Sequence, residues 1–221
     1  MNKRKMLLFP SMNCANFESL KDEVLQLDAA GADGYHCDIS DGTIFPGWSM
    51  GLRDVQAIRK NTKTLVDAHL YVTEPSRIID QMIDAGVDII YVFAESEKVI
   101  AHTLYKIRGL GKHPGLCIGW NATVENYMAL YPLVDYVMVN CTNSFTGKIE
   151  KDFYPRLKKL IKLRDQGYDF KILLDGGVSY EVIEETWKMG VDGYAMGTNC
   201  LFRKDHTYAE SFEIIRKNEE I

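Results

Sequence analysis

Four side chains that could share one metal ion lie at the ends of three apolar segments of the chain: His36 and Asp38, His69, and Asp175. Residues i and i+2 of a β-strand point to the same face, so His36 and Asp38 project together if their segment is a strand. If the segments are parallel strands of one barrel, their carboxyl ends meet at one rim, where such enzymes build active sites. Two imidazoles and two carboxylates suit zinc or another first-row divalent ion. We therefore expect one metal centre at this rim.

A purely structural explanation for these residues is weaker than a metal site. A charged side chain inside an apolar strand costs several kcal/mol unless it is paired or bound to a metal ion. Asp38 alone could accept hydrogen bonds from a loop, and His36 alone could pack in the core. His69 and Asp175 lie in equally apolar segments, and this coincidence favours a shared ion. Asp67 is expected to orient His69 or to pair with a lysine.

A faint internal repeat indicates how these segments are arranged. The stretches 30–35, 85–90 and 189–194 each contain a small residue, a glycine suited to a left-handed helix end, and then an apolar run. A weaker copy without the glycine lies at 133–136. The copies recur roughly every fifty residues, about twice the length of a βα unit, so a further strand should lie between each pair.

Eight apolar segments suit parallel strands that are buried on both faces, and helical patterns lie between them. The predicted strands are 6–9, 34–39, 64–70, 89–93, 115–118, 136–140, 171–174 and 193–196. The clearest predicted helices are 17–29, 75–85, 153–164 and 180–189. Alternating strands and helices in a chain of 221 residues predict an α/β fold, a (β/α)8 TIM barrel, with an open doubly wound sheet as the alternative. Since no linker or low-complexity segment is visible, we assign residues 1–221 to one barrel domain.

The bulk composition is that of an ordinary folded domain and argues against some partners. The chain has 46% hydrophobic and 26% charged residues, a formal net charge of -5 and no extended basic patch, which argues against a nucleic-acid partner. The first apolar run is too short for a signal peptide, and no run approaches the length of a membrane span. Five scattered cysteines without CxxC pairs are typical of reduced thiols. We expect a cytoplasmic protein with no membrane partner.

Two glycine-containing segments after the last two predicted strands suit phosphate binding. Gly176 and Gly177 follow the seventh strand, and Ser179 is placed to cap the next helix, whose amino end attracts anions. Gly197 and Thr198 follow the eighth strand, and we expect the same arrangement there. Barrel enzymes frequently bind phosphate in these two loops. The sequence therefore predicts a phosphorylated ligand.

With these motifs the sequence resembles the ribulose-phosphate 3-epimerase family over nearly its whole length. The matching elements are Pro10-Ser11, His36-x-Asp38-x-x-Asp41-Gly42, Phe45-Pro46 with Gly51, Asp67-x-His69-Leu70 with Glu74-Pro75, Asp175-Gly176-Gly177-Val178, and Gly197-x-x-x-Leu201-Phe202. The resemblance implies a barrel of the ribulose-phosphate-binding type and an isomerase of the pentose phosphate pathway.

The resemblance also implies roles for individual residues. In this family the residues that match His36, Asp38, His69 and Asp175 bind one divalent metal ion, and the two aspartates act as the acid/base pair. The positions that match substrate-binding residues are Ser11, His69, Thr146, Gly147, Gly176, Gly177, Gly197 and Thr198. The ligand set suits zinc first, with iron, manganese or cobalt as alternatives. Family members commonly form dimers or hexamers, so the resemblance implies a homo-oligomer.

The chain departs from the family pattern in the wall of the expected pocket. Ser40, Tyr71 and Asn140 occupy positions where the family usually has methionines around the reacting carbon. The glycine-rich run after the sixth strand is shortened to 143–148, which is expected to fold over the ligand, with Lys148 either meeting the phosphate or lying in solvent. The predicted chemical groups are thus intact, whereas the pocket wall is remodelled.

These observations favour metal-dependent epimerisation at carbon 3 of a ketose phosphate. The expected reaction converts D-ribulose 5-phosphate to D-xylulose 5-phosphate by proton transfer between two carboxylates through an enediolate. Two alternatives remain open: a 3-epimerase of another ketose phosphate, such as a hexulose 6-phosphate, or a non-catalytic sugar-phosphate-binding protein. A sugar-phosphate decarboxylase of similar architecture would be expected to carry Asp-x-Lys-x-x-Asp on strand three, where this chain has Asp67-Ala68-His69.

Overall fold

Eight parallel strands lie in one sheet that curves into a nearly closed barrel. The computed structural model describes residues 4–119, 122–143 and 148–220. The strands are β1 (Leu7–Pro10), β2 (Gly34–Ser40), β3 (Leu65–Tyr71), β4 (Ile89–Phe93), β5 (His113–Ile118), β6 (Tyr136–Asn140), β7 (Lys171–Asp175) and β8 (Gly193–Met196). They pair in the order β1-β8-β7-β6-β5-β4-β3-β2, and β1 meets β2 through a bridge between Ser11 and His36. The predicted (β/α)8 barrel is confirmed.

Helices follow most of the strands on the outside of the barrel. They are α1 (Leu20–Ala30), α2 (Leu52–Asn61), α3 (Ile79–Asp84), α4 (Ile100–Gly109), α5 (Phe153–Asp165), α6 (Tyr180–Met189) and α7 (Tyr208–Arg216). In the described part of the segment after β5, two 3₁₀ helices, Val124–Tyr127 and Tyr131–Leu133, take the place of an α-helix. No helix of the described chain has both the length and the apolar character needed to cross a bilayer.

The predicted helices 17–29 and 75–85 start too early. Each begins with a 3₁₀ turn, Phe17–Ser19 or Pro75–Arg77, before the α-helix starts. In the first turn the Asn16 side chain accepts a hydrogen bond from the amide of Glu18, which satisfies a donor at the entry to the helix. Sequence periodicity does not distinguish such a turn from the first turn of an α-helix. The remaining predicted strand and helix bounds agree with the structure to within two residues.

The interior of the barrel is filled by large side chains that lie opposite small residues. Phe9 of β1 and Tyr91 of β4 are fully buried there. A Cβ atom at Gly34 would lie 2.3 Å from the Phe9 ring, and one at Gly115 would lie 2.4 Å from the Tyr91 ring. Since interiors pack at crystal-like density, neither glycine position tolerates a side chain unless the ring moves. A packed core therefore supports the carboxyl-terminal rim from below.

The repeated glycine pattern of the sequence ends three helices as predicted. Gly31, Gly86 and Gly190 end the segments of α1, α3 and α6 with φ angles of 98°, 101° and 115°. This left-handed conformation is readily adopted by glycine and is strained for other residues. The chain then turns directly into a strand at each site, which explains the spacing of the repeat.

The aspartate of each repeat has a structural role that the sequence pattern does not indicate. In three copies the aspartate forms two hydrogen bonds with one residue of a neighbouring strand: its backbone amide donates to that residue's carbonyl, and its carboxylate accepts from that residue's amide. The three pairs are Asp33 with Leu8, Asp88 with Val66, and Asp192 with Ile172. We call these contacts the reciprocal aspartate pairs. Each carboxylate also binds an arginine, namely Arg216, Arg59 or Arg164.

The fourth copy of the repeat lacks the second hydrogen bond for a simple reason. Asp135 donates its backbone amide to the carbonyl of Pro114, but a proline has no amide hydrogen to return. Within the described part of the chain, its carboxylate contacts the side chains of Arg108 and His113, and both partners are about half exposed. The reciprocal aspartate pairs therefore join the amino-terminal ends of the strands at three of four equivalent places.

We expect Asp88→Ala to lower the free energy of unfolding by about 2 kcal/mol, because it leaves the amide of Val66 and the Arg59 guanidinium without their shared acceptor. Asp135→Ala is the matched control, with an expected loss below about 1 kcal/mol, because its partners are exposed side chains. Urea denaturation followed by circular dichroism measures both values. Equal losses in the two variants would show that the backbone hydrogen bond adds nothing.

Candidate metal centre and active site

The four predicted metal ligands converge at the carboxyl-terminal rim of the barrel. One ligand atom from each of His36, Asp38, His69 and Asp175 lies within 4.8 Å of the other three. His36 Nε2 is 3.2 Å from Asp38 Oδ1 and 3.8 Å from Asp175 Oδ2. His69 Nδ1 is 3.5 Å from Asp38 Oδ1 and 3.4 Å from Asp175 Oδ2. Each imidazole nitrogen therefore faces both carboxylates, and we call these four residues the ligand cluster.

The spacing and chemistry of the ligand cluster fit a metal ion. A zinc ion binds nitrogen and oxygen at about 2.0–2.2 Å, which places the corners of a tetrahedron roughly 3.4 Å apart. The four nitrogen–oxygen separations, 3.2–3.8 Å, bracket that value. Both nitrogens of His69 are buried, and neither makes a hydrogen bond with the described residues. A buried nitrogen without a hydrogen bond is expected at a ligand position, because the cation supplies the missing contact.

The strand register brings opposite charges together within the ligand cluster. On the β2–β3 ladder, His36 lies opposite Asp67 and Asp38 lies opposite His69. His36 Nδ1 is 2.8 Å from Asp67 Oδ1, and both side chains are fully buried. The expectation that Asp67 orients His69 or pairs with a lysine is therefore wrong, because its carboxylate contacts the imidazole on the neighbouring strand. Asp67 holds the ring of His36 with Nε2 directed at the other ligands.

The carboxylates control the protonation of this cluster. Burial alone would lower the pKa of His36, but Asp67, Asp38 and Asp175 outweigh it and hold the pKa well above its usual value. Burial would likewise raise the pKa of Asp38, but the charges and hydrogen bonds of His36 and His69 hold it well below its usual range. Asp38 is therefore ionised, which is the form that can bind a cation or accept a proton.

A cavity of about 370 Å³ opens above the ligand cluster. Asp38 and Asp175 line it, whereas His36 and His69 are fully buried and do not. Predicted substrate-binding residues that line the cavity are Ser11, Gly176, Gly177, Gly197 and Thr198. His69 was also predicted to bind substrate, but the structure places its ring beneath the cavity in contact with the other ligands. Thr146 and Gly147 lie outside the described residues.

Several polar residues of the cavity were not predicted. They are Asn13, Ser49 and Thr142. Asn143, in the 143–148 loop that was expected to fold over the ligand, and Asn199, next to Thr198 in the loop after β8, also line the cavity. Asn13 Nδ2 donates a hydrogen bond to Asp38 Oδ2 at 3.3 Å, so it directly contacts one of the predicted catalytic carboxylates. It lies in a 3₁₀ turn after β1, where neither periodicity nor charge gives a signal in the sequence.

The loop after β7 has the backbone that close approach of a ligand requires. Gly176 and Gly177 have φ angles of 86° and 67°, and a Cβ atom at Gly176 would lie 2.4 Å from Thr142 Oγ1. The predicted cap is confirmed, since the Ser179 side chain accepts a hydrogen bond from the amide of Val182 at the start of α6. Gly176, Gly177 and Val178 of this loop line the cavity just before α6 begins, and the amide of Gly176 donates to Asp175 Oδ1 at 2.7 Å.

The loop after β8 differs from the expected arrangement. The amides of Leu201 and Phe202 donate to the carbonyl of Gly197, which closes a tight turn. The next helix, α7, begins only at Tyr208. Thr198 therefore offers backbone and hydroxyl groups to the cavity, and the helix end that the sequence predicted there is absent from this loop.

The three positions at which the family usually has methionines all line the cavity. Ser40, Tyr71 and Asn140 lie at the ends of β2, β3 and β6. Ser40 Oγ donates to the carbonyl of Gly47 at 2.7 Å, and Asn140 Nδ2 donates to the Tyr71 hydroxyl at 3.2 Å. The shortened loop 143–148 ends at Lys148. This lysine is not among the residues that line the cavity. The described wall therefore carries hydroxyl and amide groups and no lysine or arginine.

Comparisons with known proteins identify the family to which the chain belongs. The sequence model of one protein family, the ribulose-phosphate 3 epimerase family, matches residues 7–201 of this chain. The chain belongs to this family. Its members are isomerases that act on carbohydrates.

Individual relatives match nearly the whole chain. The ribulose-phosphate 3-epimerase of Synechocystis is 29% identical over 220 residues, which cover 97% of this chain and 95% of the relative. The enzyme of the same name from Bacillus subtilis is 28% identical and covers 91% of this chain and 95% of the relative. These matches confirm the family resemblance that the sequence motifs indicated.

Solved structures of other enzymes share the fold at low sequence identity. A 3-keto-L-gulonate-6-phosphate decarboxylase from Vibrio cholerae aligns with a TM-score of 0.71 at 16% identity, covering 98% of both chains. A 3-hexulose-6-phosphate synthase from Salmonella typhimurium aligns with a TM-score of 0.71 at 16% identity, covering 97% of this chain and 99% of that chain. At such identities the likeness establishes the barrel and carries no information about the reaction.

We expect Asp67→Asn to weaken zinc binding about 10- to 100-fold, because an amide holds the ring of His36 less firmly and makes it a weaker ligand. Isothermal titration of the metal-free protein with zinc chloride measures the change. Asp28→Asn is the control, since the Asp28 carboxylate accepts hydrogen bonds from Tyr35 and Thr62 instead. Unchanged affinity in Asp67→Asn would mean that the contact with His36 does not support the metal site.

Proposed function

We propose that the protein epimerises carbon 3 of a ketose phosphate, converting D-ribulose 5-phosphate to D-xylulose 5-phosphate. The observation that carries this proposal is the placement of two carboxylates, Asp38 and Asp175, in one cavity directly above two buried imidazoles. Epimerisation next to a ketone removes a proton from one face of a carbon atom and delivers a proton to the other face. Two carboxylates on different strands are suited to this exchange.

The two carboxylates approach the cavity from separate parts of the barrel. Asp38 lies on β2 and Asp175 on β7, and strands β8 and β1 lie between them on the shorter way round. A planar intermediate bound between them would present one face to each. In our proposal the ionised Asp38 accepts the proton from carbon 3, and protonated Asp175 donates to the opposite face. The roles are exchanged in the reverse direction, and exchange with solvent restores the starting protonation states.

The metal ion would be held by the ligand cluster, with zinc as the first choice and iron, manganese or cobalt as alternatives. A divalent ion bound there supplies Lewis-acid stabilisation of the negative charge that develops on the substrate oxygens. His36 and His69 would serve as ligands only, since both are fully buried. Asp38 and Asp175 would serve both as ligands and as proton carriers.

We propose that the loops after β7 and β8 bind the phosphate. No lysine or arginine of the described chain lines the cavity, so the charge would be met by backbone amides of Gly177, Gly197 and Thr198 and by the amino end of α6. Gly176, whose amide donates to Asp175 Oδ1, would contribute by allowing the phosphate to approach the backbone closely. Ser11 would contact the sugar. Thr146 and Gly147 keep the phosphate-binding role that the family resemblance implies. Anchoring the phosphate away from the reacting carbon helps to orient that carbon.

A second substrate class is favoured by one observation, the hydroxyl and amide groups of Ser40, Tyr71 and Asn140 in the cavity wall. A wall of this kind can bind further sugar hydroxyls, as in a hexulose 6-phosphate. A non-catalytic sugar-phosphate-binding protein is the remaining alternative. We also propose a homo-oligomer, a dimer or a hexamer, on the basis of the family resemblance.

We expect Asp175→Asn and Asp38→Asn each to lower kcat by at least about 1000-fold, because each removes one of the two proton carriers. Proton NMR in deuterated water, with D-ribulose 5-phosphate and D-fructose 6-phosphate as substrates, should show deuterium entering carbon 3 of one of them. The same spectra identify the preferred sugar. Metal removal with a chelator should abolish the exchange, and added zinc should restore it.

Asp80→Asn is the control for these variants, because Asp80 is an exposed carboxylate paired with Lys106. It should retain full turnover, and all variants should retain affinity for inorganic phosphate. Full activity in either active-site variant would refute the two-carboxylate mechanism. Tight binding of sugar phosphates without deuterium uptake by the unaltered, zinc-loaded protein would favour the non-catalytic alternative.

A further inference from the structure

The hydroxyl group of Tyr71 occupies a position beside the ligand cluster that the proposed mechanism does not use. Tyr71 is the last residue of β3 and lines the cavity. Its ring packs against the imidazole of His69, with ring centroids 4.3 Å apart, and against Phe93, with centroids 5.0 Å apart. These contacts on two sides hold the ring in the wall of the cavity that Asp38 and Asp175 also line.

The orientation of Asn140 determines what this hydroxyl can do. Asn140 Oδ1 accepts hydrogen bonds from the backbone amide and the hydroxyl of Thr142, at 3.0 and 3.1 Å. Because its oxygen is occupied there, the amide nitrogen must face the other way, and Nδ2 donates to the Tyr71 hydroxyl oxygen at 3.2 Å. The phenol therefore acts as an acceptor towards Asn140 and keeps its own proton for another partner.

No described residue accepts the proton of the Tyr71 hydroxyl, although the group lies in a cavity wall rich in polar atoms. The neighbouring Ser40 differs, because its hydroxyl donates to the carbonyl of Gly47. The wall thus presents a fixed hydrogen-bond donor to whatever occupies the cavity.

We propose that Tyr71 is a catalytic residue whose hydroxyl donates a hydrogen bond to a substrate oxygen attached at or next to the reacting carbon. The inference rests on the proposed function, in which negative charge develops on the oxygens of an enediolate. A positioned donor stabilises such an oxygen more strongly than it stabilises the neutral ketone or alcohol of the bound substrate. Asn140 and Thr142 act as positioning residues, since they contact Tyr71 or each other and orient the donor.

The test compares Tyr71→Phe with Tyr91→Phe in the zinc-loaded protein. Tyr91 is the matched control, because its ring also lies beside that of His69, with centroids 6.1 Å apart. Its buried hydroxyl makes no hydrogen bond with the described residues, and Tyr91 does not line the cavity. We expect Tyr71→Phe to lower kcat/KM about 10- to 100-fold, mainly through kcat. Tyr91→Phe should stay within about 2-fold of the unaltered protein, since it removes no donor from the cavity.

Binding measurements separate this inference from the proposed function. A phosphorylated aldonohydroxamate mimics an enediolate, and inorganic phosphate probes the phosphate loops alone. By isothermal titration, Tyr71→Phe should lose about 10- to 100-fold in affinity for the hydroxamate and keep its affinity for phosphate and its zinc content. A Tyr71→Phe variant that matches Tyr91→Phe in both turnover and hydroxamate affinity would overturn the proposal.

If the unaltered protein turns over no ketose phosphate, the proposed function fails and the hydroxamate titration decides the role of Tyr71. A selective loss in Tyr71→Phe would then support a donor to the charged oxygen of a bound ligand. Equal affinity in the two variants, or no hydroxamate binding by the unaltered protein, would overturn the donor assignment.

Discussion

Burial of ionisable groups within the barrel rim is the physical constraint on which the rest of the structure depends. His36, Asp67 and His69 are fully buried, and Asp175 is nearly so. Groups of this kind are stable inside a protein only when opposite charges compensate one another or a cation binds them. The alternation of imidazole and carboxylate around the cluster provides the first kind of compensation. The nitrogens of His69, which make no hydrogen bond with the described residues, are open to the second.

The register of two neighbouring strands is what makes this compensation work. Along β2 and β3, His36 is paired with Asp67, and Asp38 is paired with His69. A shift of one residue would turn every side chain of one strand to the other face of the sheet, so that ligands would point at the helices. Packing below the rim opposes such a shift, because Phe9 fits against Gly34 at the start of β2. The chemistry of the rim is therefore tied to the steric fit of the core.

The sequence predicted the features that depend on local pattern. The apolar runs predicted the strands, and the two-residue spacing of His36 and Asp38 predicted their common direction. Glycines that end helices were also recognisable, because the left-handed backbone favours one residue type. The family followed from motifs that keep their spacing along the chain. These signals require only neighbours in sequence, so they could be identified without a structure.

Other features depend on partners that are distant in sequence, and they could not be predicted. Asp67 lies two residues from His69 but contacts His36, because strand register decides which neighbour it meets. Asn13 reaches Asp38 from a 3₁₀ turn that has no periodic pattern. In each case the deciding contact joins residues of two different structural elements. The pattern of a single sequence does not show which residues of different elements meet.

The reciprocal aspartate pairs have a consequence for how such a protein can change over generations. They bind Leu8, Val66 and Ile172 at the amino-terminal ends of the strands, opposite to the cavity. The contacts that stabilise the barrel and the residues proposed to react with substrate therefore lie at opposite ends of it. Residues of the cavity wall, such as Ser40 and Asn140, can then be substituted while the reciprocal aspartate pairs keep the strands in place. A lineage built this way can explore new ligands with little risk to its ability to fold.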